Sequence, residues 1–248
     1  MQVFVIPAFN EEENLPRLLH DLEDRPMLWS GGHVILVDDG SSDGTVAVAR
    51  AYDGPVPLIL VRQIRNQGAG RAFDRGFRFA LELCDDDDDL IVTLESDTTS
   101  DLDALEAMLA EARGGADVVL ASVHAAGGEM VGAGKFRESL SRAASTAVRV
   151  TAGIDASTVS SFFRVYRAGM LRAAYERHGD AFIREGGFAC KAEILGKLSR
   201  MEASIAEVPV DLDASRRIGE SKLKVLPTMA GYTRLMARQV ATRMRANA

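Results

Sequence analysis

The sequence predicts a single α/β domain: a mostly parallel central sheet flanked by helices. Three observations support this fold class. The first half of the chain alternates short apolar, β-branched runs with helical patterns, which is typical of strands joined by crossover helices. The 248 residues are enough for one buried core, and no internal repeat or linker divides them. The apolar fraction of 47% and the charged fraction of 26% are those of an ordinary globular protein.

Turn residues and helix caps define the elements of the first half. The predicted strands are brief apolar runs at residues 3–6, 33–37, 58–61 and 90–94. Asn10 is expected to cap a helix that begins at the next residue, with Glu13 completing a capping box. Four leucines line one face of that helix: Leu15, Leu18, Leu19 and Leu22. Asp43 is expected to cap a helix over residues 44–52, and another helix covers residues 70–83.

The second half of the chain is less regular. We predict strands at residues 117–122, 160–166 and 203–210, and helices at residues 135–150, 187–199 and 226–246. One apolar stripe runs along the last helix: Met229, Tyr232, Met236, Val240 and Met244. Residues 1–226 are therefore expected to form the α/β domain, and residues 227–248 a basic amphipathic C-terminal helix.

The net charge of −7 is unevenly distributed. From Ala214 onward, eight Lys or Arg residues stand against one acid, so the rest of the chain is strongly acidic. An acidic body argues against nucleic-acid binding, but the basic end leaves a local site for phosphates or an anionic membrane. The acidic run at residues 85–89 is expected to be a solvated loop.

Cysteine usage and hydropathy indicate the compartment. Cys84 and Cys190 lie outside any CxxC spacing, which favours a reducing cytoplasm. The N-terminus does not read as a signal peptide, and no apolar run approaches the roughly 18 residues that span a bilayer. We therefore expect a cytoplasmic protein. Its terminal helix either contacts the inner face of the membrane peripherally or packs on the body or a second subunit, and the oligomeric state stays open.

Polar clusters follow the predicted strands at residues 7–11, 38–44, 65–70 and 95–97. The carboxyl ends of parallel strands meet at one edge of a sheet, so these clusters are expected to share one crevice. Glu95 and Asp97 offer the hard oxygen ligands that Mg²⁺ or Mn²⁺ prefers. The alternative is that these two acids cap the N-terminus of the following helix. Asp39 offers a carboxylate to a ribose hydroxyl or to the same ion. Gly68 and Gly70 would let backbone amides approach a phosphate at a helix start.

The motifs VIPAFNEEENL, VDDGSSDGT, RNQGAGRAFDRGF and LESDTTSD resemble, in order and spacing, the donor half of the family-2 glycosyltransferases. Further on, SSFFRVYRAGML, FACKAEILGKL and EVPVDLDASRRIGESKL resemble the dolichol-phosphate mannose synthase branch. The resemblance covers residues 2–226. It implies a GT-A fold and a metal-dependent, inverting glycosyltransferase that uses a nucleotide-diphosphate sugar.

The resemblance also implies roles for particular residues. Glu95 and Asp97 take the place of the DxD metal motif, and Arg216, Ser221 and Lys222 match an RxxGxSK signature that closes over phosphates. The residues predicted to bind the donor are Pro7, Ala8, Asn10, Glu11, Asp39, Asn66, Gly68, Ser96, Arg164 and Ser221. Those predicted to act in catalysis are Asp97, Arg216, Lys222 and Glu193, and the predicted metal ligands are Glu95 and Asp97, for Mg²⁺ or Mn²⁺.

Three positions depart from the family pattern: the first leaves the metal preference open, and the other two leave the acceptor open. Glu95 replaces an aspartate, Phe162 replaces the glycine of an SGFR motif, and Val123 stands where relatives often carry an arginine. The leading prediction is transfer of a hexose from a GDP-mannose or UDP-glucose type of donor to a polyprenyl phosphate, which needs no general base. A small soluble acceptor with a hydroxyl would need one, with Glu185 and Glu193 as candidates. A nucleotide-sugar-binding protein without catalysis is the alternative of another class.

Overall fold

A computed structural model describes residues 1–29, 31–131, 146, 149, 154, 156–159, 161–219 and 225–246. The first half contains β1 (Gln2–Ala8), α1 (Leu15–Glu23), α2 (Pro26–Trp29), β2 (His33–Asp38), α3 (Thr45–Ala51), β3 (Leu58–Arg62), α4 (Ala69–Leu83) and β4 (Leu90–Thr93). The second half contains α5 (Leu105–Arg113), β5 (Val118–Ser122), β6 (Glu129–Val131), β7 (Arg164–Arg167), α6 (Ala168–His178), α7 (Cys190–Ser199), β8 (Ile205–Pro209), β9 (Asp211–Asp213) and α8 (Val225–Ala246).

Seven strands form the central sheet in the order β3-β2-β1-β4-β7-β5-β8. Neighbouring strands run parallel except at β7, which is antiparallel to both β4 and β5. Strands β6 and β9 form a separate parallel pair. The predicted mostly parallel sheet is therefore confirmed, and its carboxyl edge brings together the ends of β1, β2 and β4.

Apolar layers cover both faces of the sheet. In β1, Val3 and Val5 pack into one cluster with residues of α4 and α7, whereas Phe4 and Ile6 pack into the other with residues of α1 and α5. A strand buried on both faces has to be apolar throughout, which explains the unbroken apolar run at the start of the sequence. The four leucines predicted to line α1 are all buried in the second layer.

Helix α1 begins at Leu15, so the predicted start after Asn10 is wrong. Asn10 adopts a left-handed φ of 55°, and its side-chain Oδ1 accepts the N–H of Ser42 at 2.8 Å. Because this carboxamide oxygen binds a distant loop, it does not cap a helix. Helix α3 begins at Thr45 with Gly44 at its N-cap position, one residue later than predicted, although Oδ1 of Asp43 does accept the N–H of Thr45 at 3.0 Å.

Helix α8 packs the described part of its length on the body. Gly231 and Leu235 are buried, Tyr232 packs against the first apolar layer, and Met229 is 54% exposed. The buried face therefore includes Gly231 and Leu235, and the predicted stripe is wrong at Met229. The side chains of Val240 and Met244 lie outside the described residues.

Some predictions fall on residues that the structure does not describe. Ser221, Lys222 and nearly all of the helix predicted over residues 135–150 lie outside the described residues. Within the described part of the chain, no helix has both the length and the apolar character needed to cross a membrane. In the acidic run, the first four side chains are exposed as expected. Asp89 is buried because its carboxylate binds the amino group of Met1.

Candidate active site

A cavity of about 630 Å³ opens at the carboxyl edge of the sheet. Its walls come from the ends of β1 and β4, the loops after β2 and β3, the start of α4, the residues before α7, and the first turns of α8. The structure brings nine of the predicted residues to this cavity: Pro7, Ala8, Glu11, Asp39, Asn66, Gly68, Glu95, Ser96 and Asp97. The expected convergence of the strand-end clusters is therefore observed.

Glu95 and Asp97 stand together on the cavity floor. Oδ1 of Asp97 accepts hydrogen bonds from the Thr99 hydroxyl at 2.6 Å and from the Thr99 N–H at 3.1 Å. Burial and then the charge of Asp97 raise the pKa of Glu95, and Lys191 and Arg217 offset this only in part. Neither acid caps the following helical turn, because Asp101 does so through the N–H of Asp103.

The acid pair has the chemistry expected of a magnesium or manganese site. Two crowded carboxylates repel each other unless a cation compensates, and this repulsion is the second cause, after burial, of the raised pKa of Glu95. The described residues contain no cluster of three or more His, Cys, Asp or Glu side chains that would enclose an ion completely. An ion that accepts water and phosphate oxygens as its remaining ligands therefore fits these residues.

Arg217 is a site residue that the sequence analysis missed. Its Nε donates to Oδ2 of Asp97 at 2.6 Å, and its Nη2 donates to the same oxygen. The predicted residue was its neighbour Arg216, whose guanidinium instead binds Asp21 at 3.0 Å and does not line the cavity. The prediction for Arg216 therefore does not fit the structure, and Arg217 is the arginine of this segment that faces the acids.

Asn14 helps to hold the backbone beside Arg217. Its Oδ1 accepts the N–H of Ile218 at 2.9 Å, and its Nδ2 donates to the carbonyl of Ile218 at 3.0 Å. The carbonyl of Arg216 accepts from the Thr98 hydroxyl at 3.0 Å. These bonds tie the backbone on both sides of Arg217 to the cavity rim, so its side chain points to Asp97.

Lys191 is the second site residue that was missed. It lies on the cavity wall, buried, with its ammonium 4.2 Å from the ring centre of Phe162 and 5.3 Å from that of Phe188. Burial lowers the pKa of Lys191, and the charge of Glu95 partly counteracts this. The available signal was a lysine within the largely apolar stretch FACKAEIL, where a charge has to find partners.

Two predicted residues are structural rather than exposed to the cavity. Glu193 is buried, and its carboxylate accepts the N–H groups of Arg184 and Glu185 at 2.9 and 2.8 Å and binds Lys197. Arg164 is also buried and donates to the carbonyl oxygens of Lys191 and Val159. The predicted catalytic role of Glu193 and donor-binding role of Arg164 therefore do not fit their positions. Each holds a segment of the wall.

The start of α4 does not offer the phosphate cradle that its glycines predicted. Asp39 accepts the N–H groups of Gln67 and Gly68, both at 2.8 Å, and the N–H of Gly70 donates to the carbonyl of Gly186 at 2.7 Å. A Cβ at Gly70 would lie 1.9 Å from the carbonyl oxygen of Glu185. These glycines are needed because another loop crosses the helix start. Burial raises the pKa of Asp39, although the two amide bonds act against it.

Glu185 lines the cavity but is already paired. It is 3% exposed, and its carboxylate binds Arg234 at 2.8 Å and Arg238 at 3.0 Å, both from α8. As a candidate general base it would first have to lose these partners. The two acids proposed for that role from the sequence, Glu185 and Glu193, are thus both engaged in holding the wall together.

The sheet order and the cavity at its carboxyl edge define a GT-A glycosyltransferase. Glucosyl-3-phosphoglycerate synthase from Mycobacterium tuberculosis, solved with Mn²⁺, uridine diphosphate and phosphoglyceric acid, shares the fold. It superposes with a TM-score of 0.61 over 98% of this chain and 78% of that one, at 18% identity. Residues 3–174 match the family Glycosyl transferase family 2. The chain belongs to this family, and the predicted GT-A fold is confirmed.

Full-length relatives extend the likeness beyond the family domain. Undecaprenyl-phosphate mannosyltransferase of Micrococcus luteus is 34% identical over 221 residues, which cover 88% of this chain and 86% of the relative. Polyprenol monophosphomannose synthase of Mycolicibacterium smegmatis is 27% identical over 222 residues, covering 88% of this chain and 79% of the relative. These relatives confirm the resemblance to the branch read from the motifs, and the protein is a glycosyltransferase.

Proposed function

We propose that this protein transfers a hexose, with inversion, from a nucleoside-diphosphate sugar of the GDP-mannose or UDP-glucose type to a polyprenyl phosphate. The observation that carries the proposal is the pairing of Glu185 with Arg234 and Arg238. Among the described residues of the cavity wall at α7 and α8, the Glu185 carboxylate is held in ion pairs and the cations outnumber it. The relatives from Micrococcus and Mycolicibacterium are both named after a polyprenyl-type lipid, which supports the same acceptor.

The chemistry of the acceptor follows from that wall. A hydroxyl acceptor needs a general base to remove its proton as it attacks. A phosphate monoester has a second pKa of about 6, so it reaches the site already ionised. Arg234 on the wall would attract such an anion, whereas Glu185 is held in ion pairs. An anionic acceptor therefore suits the residues that are present.

The donor would bind among the residues that the sequence predicted for it. Pro7, Ala8 and Asp39 line the part of the cavity expected to take the nucleoside. One oxygen of the acceptor phosphate attacks the anomeric carbon, the bond from that carbon to the diphosphate breaks, and the nucleoside diphosphate leaves with the bonding electrons. Lys191 and Arg217 face the position where this negative charge develops. A Mg²⁺ or Mn²⁺ ion held by Glu95 and Asp97 would supply further positive charge to the diphosphate.

The test is a transfer assay with two lipids that differ only in the phosphate. Purified protein is incubated with labelled GDP-mannose or UDP-glucose, Mn²⁺ or EDTA, and either a polyprenyl phosphate or the corresponding polyprenol. We expect organic-extractable label only with the phosphate and with the metal. Asp97→Asn should reduce the rate by about 100-fold or more. The control Asp101→Asn lies near the same strand end but only caps a helical turn, and it should retain activity.

Three outcomes would contradict the proposal. Equal labelling of polyprenol would show that the phosphate is not recognised. Label that appears only in a water-soluble product, for example with 3-phosphoglycerate as acceptor, would favour a soluble acceptor. Binding of the sugar nucleotide without any turnover, unaffected by Asp97→Asn, would favour a protein that binds nucleotide sugars without catalysis.

A further inference from the structure

The C-terminal helix forms part of the cavity wall. Pro227, Thr228, Gly231 and Arg234, from its first three turns, line the cavity. Gly231 approaches the start of α7 so closely that a Cβ there would lie 2.9 Å from the Cβ of Ala189. Leu235, one turn further on, is buried. Close backbone contact together with a buried leucine fixes the depth at which α8 sits on the body.

Glu185 links this helix to the rest of the wall through charge. A carboxylate that is 3% exposed is costly unless cations pair with it, and Arg234 and Arg238 both do so. The backbone that carries Glu185 is held in turn by the buried carboxylate of Glu193, which binds two successive N–H groups, and by Lys197, which donates to the carbonyl of Phe182. Buried hydrogen bonds therefore hold the backbone at Glu185, and its carboxylate is the shared partner of both arginines.

The two arginines differ in what else they can reach. Arg234 lines the cavity, and its side chain is 55% exposed. Arg238 binds the same carboxylate from one turn further along α8 but is not part of the lining. Because two guanidinium groups share one carboxylate, the cluster keeps an excess positive charge. A guanidinium has five N–H donors, so Arg234 can bind Glu185 and a second anion together.

We propose that Arg234 is an acceptor-binding residue that recognises the phosphate of the polyprenyl phosphate, and that Glu185 is the residue that positions it. This inference rests on the proposed function, since it names the contact that the acceptor makes. Lys191 and Arg217 lie nearer the acid pair and are assigned to the leaving diphosphate. Among the described residues of α8, Arg234 is the cation that lines the wall where the attacking phosphate would arrive.

Arg234→Gln and Arg238→Gln form a matched pair for the test, because each removes one ion pair with Glu185 but only Arg234 lines the cavity. In Arg234→Gln the KM for the acceptor should rise about tenfold to a hundredfold, as expected for a lost charged hydrogen bond to phosphate. Its donor KM and its kcat at saturating acceptor should stay unchanged. Arg238→Gln should change the acceptor KM much less. Arg234→Lys, which keeps the charge but not the fork, should fall between the wild type and Arg234→Gln.

A binding measurement separates failure of this inference from failure of the proposed function. Calorimetry with farnesyl phosphate and with farnesol should show binding of the phosphate alone, weakened in Arg234→Gln and retained in Arg238→Gln. Equal effects of the two glutamine variants would show that Arg234 only docks the helix, and would overturn the inference. A raised donor KM in Arg234→Gln would assign the arginine to the diphosphate instead. A wild-type enzyme that transfers no sugar to any lipid phosphate would reject the proposed function itself.

Discussion

Replacing Asn14 tests how the segment that carries Arg217 is held. The Asn14 amide makes three hydrogen bonds: to Oε2 of Glu11 at 2.7 Å, to the carbonyl of Ile218 at 3.0 Å, and from the N–H of Ile218 at 2.9 Å. At about 1 kcal/mol each, their loss in Asn14→Ala would cost about 3 kcal/mol. Ile218 is 39% exposed, so water can replace its two bonds. We therefore expect the free energy of unfolding to fall by about 1–2 kcal/mol.

Asn14→Asp keeps the shape of the side chain, but we expect it to be destabilising because of its charge. It would place a carboxylate oxygen where the amide nitrogen now donates to Glu11, and two like charges at hydrogen-bond distance repel. At neutral pH the aspartate variant should therefore be less stable than the alanine variant. The difference should shrink as the pH falls, because the two carboxyl groups can then share a proton.

Urea unfolding at neutral and acidic pH measures both variants, with Glu13→Ala as the control because Glu13 is exposed on the same turn. Both variants should also lower the rate of transfer, since each loses at least one of the two bonds by which Asn14 ties Ile218 and so helps to hold Arg217 against Asp97. If Asn14→Asp is as stable as the wild type at neutral pH, the contact with Glu11 is wrong. If both variants unfold more easily but transfer sugar at the normal rate, the position of Arg217 does not depend on this tether.

Three further predictions concern thiols, close packing and acid stability. Burial raises the pKa of the Cys84 and Cys190 thiols to about 11 and about 12, so neither should react with a thiol reagent at about pH 8 unless urea is added. Gly70→Ala should lower the free energy of unfolding by about 1–3 kcal/mol, although alanine has the better helix propensity, because the new Cβ would meet the carbonyl oxygen of Glu185. Thermal unfolding of the variant measures this loss. Burial acts to raise the pKa of Glu207, but hydrogen bonds led by the N–H of Ser157 outweigh burial and lower the pKa. The ionised Glu207 therefore stabilises the fold above its unfolded-state pKa, and this contribution is lost as the pH falls through the folded-state pKa. Glu207→Gln should therefore lose less stability than the wild type between about pH 6 and pH 3 in urea titrations.

Much of the sheet edge could be predicted from the sequence because local chemistry determines it. A strand buried on both faces must be apolar, and the polar residues that follow it must lie at its end. That argument needs no long-range information, and it placed Glu95, Ser96 and Asp97 on the cavity. The start of α1 could not be predicted in the same way. The residues after Asn10 form a good capping pattern, but the bond from Ser42 holds Asn10 in a left-handed conformation instead.

Local sequence also could not predict which of Arg216 and Arg217 faces the acid pair. The two residues are chemically identical neighbours, and an RxxGxSK pattern selects the first of them by spacing alone. What holds the second in place is a set of distant partners: Asn14, which lies 204 residues before Ile218, binds the backbone of Ile218, and Thr98 binds the carbonyl of Arg216. No pattern within the segment contains that information. A motif therefore locates the segment that approaches the phosphates, whereas distant partners help to hold the side chain that faces them.

The roles of the acids and cations in the cavity wall also depend on partners that the sequence does not reveal. From spacing alone Glu185 and Glu193 look like candidate bases, and Lys191 is assigned no role. The structure changes both points, because a charged side chain acquires its role from the groups buried beside it. Glu193 holds two backbone amides and Lys197, whereas Lys191 is enclosed by two aromatic rings beside the acid pair. A carboxylate with its partners already in place is a structural element, and a buried cation at a cavity wall is where an anionic substrate would bind.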